Sequence, residues 1–142
     1  MDRPKLTEVS LYEDDRGSVY CAFDNMHKAG IKRTYIVDNF SKGMVRAWHG
    51  HRAAKTYMHV LSGAVKISAL NMDDFEDITS FVLTGRTPKI FEVPDGFYNG
   101  ALSLTDRTKI IVYSTLAFDE VKNDDFRLPY DFIKNHWKVI SR

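Results

Sequence analysis

At 142 residues, with 44% hydrophobic and 27% charged side chains, the chain has the size of one domain, 1–142, and the make-up of an ordinary globular protein. Its 20 Lys and Arg nearly cancel 19 Asp and Glu, for a net charge of +1, and no basic run appears, which argues against a nucleic-acid binder. No apolar run is long enough for a membrane helix, residues 1–17 are charged where a leader would be apolar, and the single cysteine, Cys21, has no internal partner, so a cytoplasmic protein is expected.

Strand signals then follow one another along the chain. Residues 17–23 (GSVYCAF) open after the turn residues DDRG, and 32–37 (KRTYIV) close at Asp38-Asn39. Residues 44–51 (MVRAWHGH) follow the turn Ser41-Lys42-Gly43. Residues 56–61 and 64–70 flank Ser62-Gly63 and read as a hairpin. Residues 78–83, 89–93, 101–104 and 109–115 continue the series, parted by Thr84-Gly85-Arg86, Pro94-Asp95-Gly96 and Thr105-Asp106-Arg107. Short strands at roughly ten-residue spacing, with little helical periodicity, predict an all-β sandwich or barrel. From Phe118 onward, acids, Pro129 and aromatics predict a short helix or an extension packed over the barrel.

The chemistry concentrates in 43–63, GMVRAWHGHRAAKTYMHVLSG. His49 and His51 stand two apart on a predicted strand and so point to one face. If that face is the interior, the two imidazoles and the Arg46 guanidinium share a cavity. A bare His-x-His more often marks two exposed strand histidines or satisfied core ones; the flanking sequence decides. Some forty residues on, 93–100 (VPDGFYNG) places a Pro-x-Gly turn before Asn99. Elsewhere, His59 reads as a packing residue, His27 and His136 as surface residues, Cys21 as a small buried hydrophobe, and Asp124-Asp125 as a solvated turn.

Together the two pieces resemble the paired motifs of the cupin superfamily, which implies an all-β cupin jelly-roll barrel with a short C-terminal extension. Gly43, His49, His51 and Gly63 match the first motif, with Lys55 where the family has a glutamate ligand. Pro94, Gly96 and Asn99 match the second, with Asn99 in place of a histidine ligand. An ammonium aimed at a divalent ion repels it, and two imidazoles alone hold Zn or Fe poorly, so a site with no metal and no cofactor is expected. A histidine base among fixed cations suits proton abstraction beside a carbonyl, with the cations holding the enolate oxygen.

Within the cupins the chain resembles the dTDP-4-dehydrorhamnose 3,5-epimerases over most of its length. The matching stretches are 14–17 (DDRG), 37–49 (VDNFSKGMVRAWH), 55–65 (KTYMHVLSGAV) and 93–115. The resemblance implies His49 as base, Lys55 as active-site lysine, and Arg46 and Asn99 at the substrate. The acid tyrosine of that family falls at Val112, with Tyr113 one step on, which serves only if a bulge intervenes. Its aspartate partner to the histidine is Asp106, Asp125 or Asp131.

A sister group, the dTDP-sugar 3,4-ketoisomerases, has an I-K-R-x-Y-x-I opening and an R-G-x-H-A-H motif. These are similar to 31–36 (IKRTYI) and 46–51 (RAWHGH). The expectation is a metal-independent nucleotide-sugar epimerase acting on an NDP-4-keto-6-deoxyhexose, at C3 or at C3 and C5, in deoxysugar and surface polysaccharide synthesis. A 3,4-ketoisomerase is the competing reading, and a non-catalytic sugar-nucleotide-binding cupin is a reading from another class. His49, Lys55, His51 and Tyr113 are the expected catalytic residues. Arg46, Arg16, Arg33, Tyr35, Tyr57 and Asn99 are expected at the substrate. Both families also imply a homodimer, for which Leu6, Val9, Leu11 and Tyr12 would dock on a partner. No nucleic acid or membrane is expected as a partner.

Overall fold

A computed structural model describes residues 2–142. In chain order its elements are β1 (Lys5–Glu8), β2 (Leu11–Asp14), β3 (Gly17–Tyr20), α1 (Met26–Ala29), β4 (Arg33–Asn39), β5 (Val45–His51), β6 (Thr56–Ser62), β7 (Ala64–Asn71), β8 (Ile78–Thr84), β9 (Lys89–Val93), β10 (Phe97–Ser103), β11 (Thr108–Ser114), α2 (Phe118–Val121) and β12 (Phe126–Arg127). Five strands pair in the order β1-β9-β6-β11-β4 and five in the order β12-β5-β10-β7-β8, while β2 and β3 form a separate ribbon. The two five-stranded sheets face each other across Met58, Val60, Ile67, Phe91, Phe97, Ile110 and Val112, the expected jelly-roll sandwich. No helix among the described residues is long and apolar enough to cross a membrane.

The expected hairpin over 56–70 is not one. β6 pairs with β9 and β11, whereas β7 pairs with β8 and β10, so Gly63 turns the chain from one sheet into the other. The corner demands glycine. Its φ of 79° is left-handed, and a Cβ there would lie 2.6 Å from Thr105 Oγ1.

The N-terminal segment also differs from expectation. β1 extends the first sheet by pairing with β9 of the same chain, and Leu6 packs against its core. On that sheet's outer face, buried His59 bonds the Tyr20 hydroxyl at 3.0 Å and its Nδ1–H donates to the Lys89 carbonyl at 3.1 Å. Cys21 is exposed, not buried. β10 starts at Phe97, four residues before the strand read from sequence.

After α2 and β12 the chain crosses the outer face of the second sheet. Leu128, Ile133 and Trp137 pack there against Trp48, Leu70, Met72 and Tyr98. Gly100 leaves room for this, because a Cβ would sit 2.7 Å from the Trp137 ring. His136, expected at the surface, is half-buried between Trp48 and Trp137 and meets Ser68 Oγ at 2.8 Å. His27 lies exposed on α1.

Candidate active site

The site is built on β5. Asn99 pairs with His49 and Gly100 with Ala47, so the register shifts there and Trp48 has no partner on β10. Trp48 instead exchanges backbone hydrogen bonds with Leu128, at 3.2 Å each way. This extra residue is a bulge, and it re-aims side chains. Ala47 and Trp48 both turn outward, into the cluster under the C-terminal segment, while Arg46 and His49 both turn inward.

Inward of His49 lies a cavity of about 240 Å³ lined by Arg33, Tyr35, Val37, Asn39, Arg46, His49, Met58, Asn99, Ala101, Ile110 and Val112. Outward of it a space of about 340 Å³ is lined by Arg33, Tyr35, His49, His51, Thr56, Ser114, Phe118, Val121, Lys122, Asp125 and Arg127. The two share Arg33, Tyr35 and His49 and form one cleft between β4 and β5. A separate groove, about 490 Å³, lies on the outer face of the first sheet under the N-terminal strands. No imidazole lines it, whereas His49 and His51 both line the cleft between β4 and β5.

Arg46 is held in place from behind. Its Nε donates to Asn39 Oδ1 at 2.6 Å, Asn39 Nδ2 donates to Ser103 Oγ at 3.0 Å, and Ser103 meets Thr108 Oγ1 at 2.8 Å. An arginine only donates, so the Asn39 oxygen must face it. On the opposite wall Arg33 stacks over the rings of Tyr35 (4.5 Å) and Phe118 (5.2 Å), and Lys122 lies 5.5 Å from Phe118. Arg33, Arg46, Lys122 and Arg127 outnumber Asp125, so the cleft attracts an anion.

Loss of hydration pushes the His49 imidazole below its ordinary 6.5, and nearby Arg127 adds to this; Asp125 opposes it, while His51 and Arg46 reinforce it. His49 is therefore neutral at pH 7, as a base must be. It has no protein hydrogen-bond partner among the described residues. Desolvation raises the Tyr35 hydroxyl above 10, against the pull of Arg33, and keeps it protonated. Part of the Tyr35 ring remains open to solvent, at 38% exposure, but the desolvated hydroxyl is the end that bears on chemistry.

His51 is fixed by the C-terminal segment. Its Nδ1–H donates to the Asp124 carbonyl at 2.5 Å. Asp124 is not in a solvated turn but buried, its carboxylate accepting from the backbone N–H of Arg52 (2.6 Å), Ala53 (2.9 Å) and Ala54 (3.1 Å). β12 follows alongside β5, with Arg127 opposite His49. Of the three aspartates weighed as partner to His49, Asp125 lines the cleft, Asp106 accepts from the Lys42 N–H at 2.7 Å, and Asp131 is exposed in the C-terminal segment.

Four residues expected at the site lie elsewhere. On β6 Thr56 and Met58 face the interior, so Tyr57 and, before it, Lys55 face out; the Lys55 ammonium pairs with Asp2 at 3.1 Å. On β11 Val112 lines the cavity and Tyr113 therefore points away. Tyr57 and Tyr113 both pack on Phe23, at 4.8 and 5.0 Å. Arg16 stands at the tip of the β2–β3 ribbon, bound to the Asp14 carboxylate. Conversely, Phe118, Val121, Lys122 and Arg127 line the cleft without any local motif to announce them.

A family model described as "FdtA: WxcM-like, C-terminal" matches residues 2–137. The chain belongs to that WxcM-like family. No curated protein matches it in sequence. Solved structures share its fold. A dTDP-4-dehydrorhamnose 3,5-epimerase from Bacillus anthracis, with TDP and PPi bound, superposes with a TM-score of 0.81 at 19% identity, over 97% of this chain and 86% of that one. A dTDP-6-deoxy-D-glucose-3,5-epimerase from Legionella pneumophila, in complex with dTDP-4-keto-L-rhamnose, gives 0.79 at 21% identity, over 92% and 74%. ChmJ, a 3'-monoepimerase from Streptomyces bikiniensis in complex with dTDP-quinovose, gives 0.79 at 13% identity, over 90% and 70%.

The family's cupin fold raises the question of a metal, and the donor set does not fit one. His49 and His51 are the two imidazoles of the cleft, Asn99 takes the place of a third, and Lys55 points out. No group of three or more His, Cys, Asp or Glu suited to a metal occurs among the described residues.

Proposed function

We propose that the protein is a nucleotide-sugar isomerase acting on an NDP-4-keto-6-deoxyhexose, and that His49 removes the proton at C3. The observation that carries this reading is an imidazole kept neutral by loss of hydration, without a protein hydrogen-bond partner among the described residues, in a cationic cleft beside a second imidazole. The diphosphate would meet Arg33, Lys122 and Arg127 in the outer space, with the base against Phe118. The hexose would lie inward, its C4 oxygen toward Arg46 and Asn99. The solved structures of the same fold include enzymes with dTDP sugars bound, which supports this substrate class.

Two products follow from one step. In a 3,4-keto shift, His49 takes the C3 proton and O4 gains one, giving an enediol. A proton then returns to C4 as the O3 proton leaves, which puts the ketone at C3. In a C3 epimerisation the proton returns to the other face of C3. The keto-shift reading is supported by Arg33, Tyr35 and His51, which come from the ketoisomerase-like stretches and line the cleft; Arg46 and His49 belong to both resemblances, and Arg16 and Lys55 of the epimerase-like stretches lie outside it. The epimerase reading is supported by the protonated Tyr35 hydroxyl on the wall facing His49, a proton donor for the other face of C3.

Incubation with dTDP-4-keto-6-deoxyglucose in deuterated water, followed by proton NMR, tests all of this. Deuterium at C4 with a C3 ketone marks the keto shift; deuterium at C3 of a 4-ketone, with a changed H2–H3 coupling in a parallel incubation in ordinary water, marks epimerisation. A substrate that binds and exchanges nothing makes the protein a sugar-nucleotide-binding cupin instead. We also infer a homodimer, in which Tyr12 and Val19, opposed on the β2–β3 ribbon and both more than 70% exposed, meet a second copy. A purely monomeric sedimentation profile at micromolar concentration overturns that.

A further inference from the structure

Asp124 is bound at both ends. Its two carboxylate oxygens accept three consecutive backbone N–H groups, those of residues 52 to 54, and its own carbonyl accepts from His51 Nδ1. A carbonyl oxygen cannot donate, so Nδ1 must carry the hydrogen, and in the neutral ring the lone pair falls to Nε2. The other tautomer would set two lone pairs against each other at 2.5 Å. Nε2 has no protein partner among the described residues, and the ring lines the cleft. Asp124 itself is 7% exposed and does not line it.

We propose that Asp124 is a positioning residue for the acid–base chemistry of this cleft: its carboxylate fixes the loop after β5, so that its carbonyl holds His51 in the Nδ1–H tautomer and presents a basic Nε2 to the substrate. This rests on the isomerase reading above. The carboxylate suits the task because three N–H groups converge on it, and a neutral side chain would leave some of them unmet in a buried place. The same residue leads directly into β12, so it also sets where Asp125 and Arg127 stand against His49.

The test is nitrogen-15 NMR of the imidazoles in the full chain, with the His51→Gln spectrum identifying the His51 signals. The wild type should show His51 as the Nδ1–H form. In Asp124→Asn the ring should shift toward Nε2–H, and kcat should fall by at least ~10-fold, as expected for a catalytic imidazole held in the wrong tautomer. A wild-type ring in the Nε2–H form overturns the proposal even if Asp124→Asn fails to fold. So does an unchanged tautomer in folded Asp124→Asn. The tautomer is read without substrate, so a wild type that exchanges no deuterium overturns the isomerase reading and is distinguishable from failure of the clamp.

Discussion

Arg46 and His49 stand three residues apart on one strand and line the same cavity. Regular alternation would put them on opposite faces. The bulge at Ala47-Trp48 removes that conflict, and the Asn39 oxygen then fixes the guanidinium. If Arg46 holds the developing oxyanion, Arg46→Met should lower kcat by ~10²–10³ while the chain stays folded. Steady-state kinetics on a 4-keto sugar nucleotide decide it, and an unchanged kcat removes Arg46 from the mechanism.

His49→Ala should lower kcat by ~10²–10⁴. The pH profile gives a second handle. The folded imidazole titrates below 6.5, so it is already unprotonated at neutral pH, and the acid limb of kcat/KM should lie below 6.5. Asp125 is the group that opposes this depression, so Asp125→Asn should move the limb to still lower pH. A limb moving upward would show that the carboxylate does not act on His49.

The tyrosines separate cleanly. Tyr35→Phe should reduce C3 epimerisation ~10²-fold or more if its hydroxyl returns the proton. Tyr113→Phe should leave kcat unchanged, because that hydroxyl lies on the far side of the sheet against Phe23. The reverse pattern would mean that β11 runs in another register.

Gly100→Val should destabilise the protein by roughly 1–3 kcal/mol, because the added carbons enter space held by Ala47 and Trp137. Urea unfolding followed by tryptophan fluorescence measures this. A midpoint equal to wild type would mean that Trp137 is not seated on the sheet.

Burial pushes His136 down to about 4, with Lys66 adding to the effect. The unfolded chain then binds a proton between about 4 and 6.5 that the folded chain refuses, so stability is complete above 6.5 and declines as pH falls toward about 4. The slope is at most about 1.4 kcal/mol per pH unit and is reduced by solvent screening at this half-buried ring. Melting temperatures of wild type and His136→Gln from pH 7 to 4 should converge toward the acid end; parallel curves exclude the effect.

Strands β4 to β9 and β11 were legible as runs of β-branched and aromatic residues between turns. β1 and β2 were not, because KLTE and LYED are polar and their pairing comes from β9 and β3. FYNG at the start of β10 reads as turn because Asn99 and Gly100 lack the side chains that mark strands. In the cleft, His49 and His51 came from a spacing, and Arg46, Arg33 and Tyr35 from the resemblance of 37–49, 46–51 and 31–36 to family motifs. Strand parity also explains why Lys55, Tyr57 and Tyr113 are absent from it. Phe118, Lys122 and Arg127 had no such signal, since their place depends on a buried aspartate meeting a loop some seventy residues earlier.

That long separation has a consequence for how the molecule comes into being. Every strand of the two sheets except β12 is synthesised before residue 115, so a nascent chain can close its barrel while the outer wall of the cleft does not yet exist. Folding and acquisition of the site are therefore successive events, the second waiting on closure of the loop between residues 54 and 124.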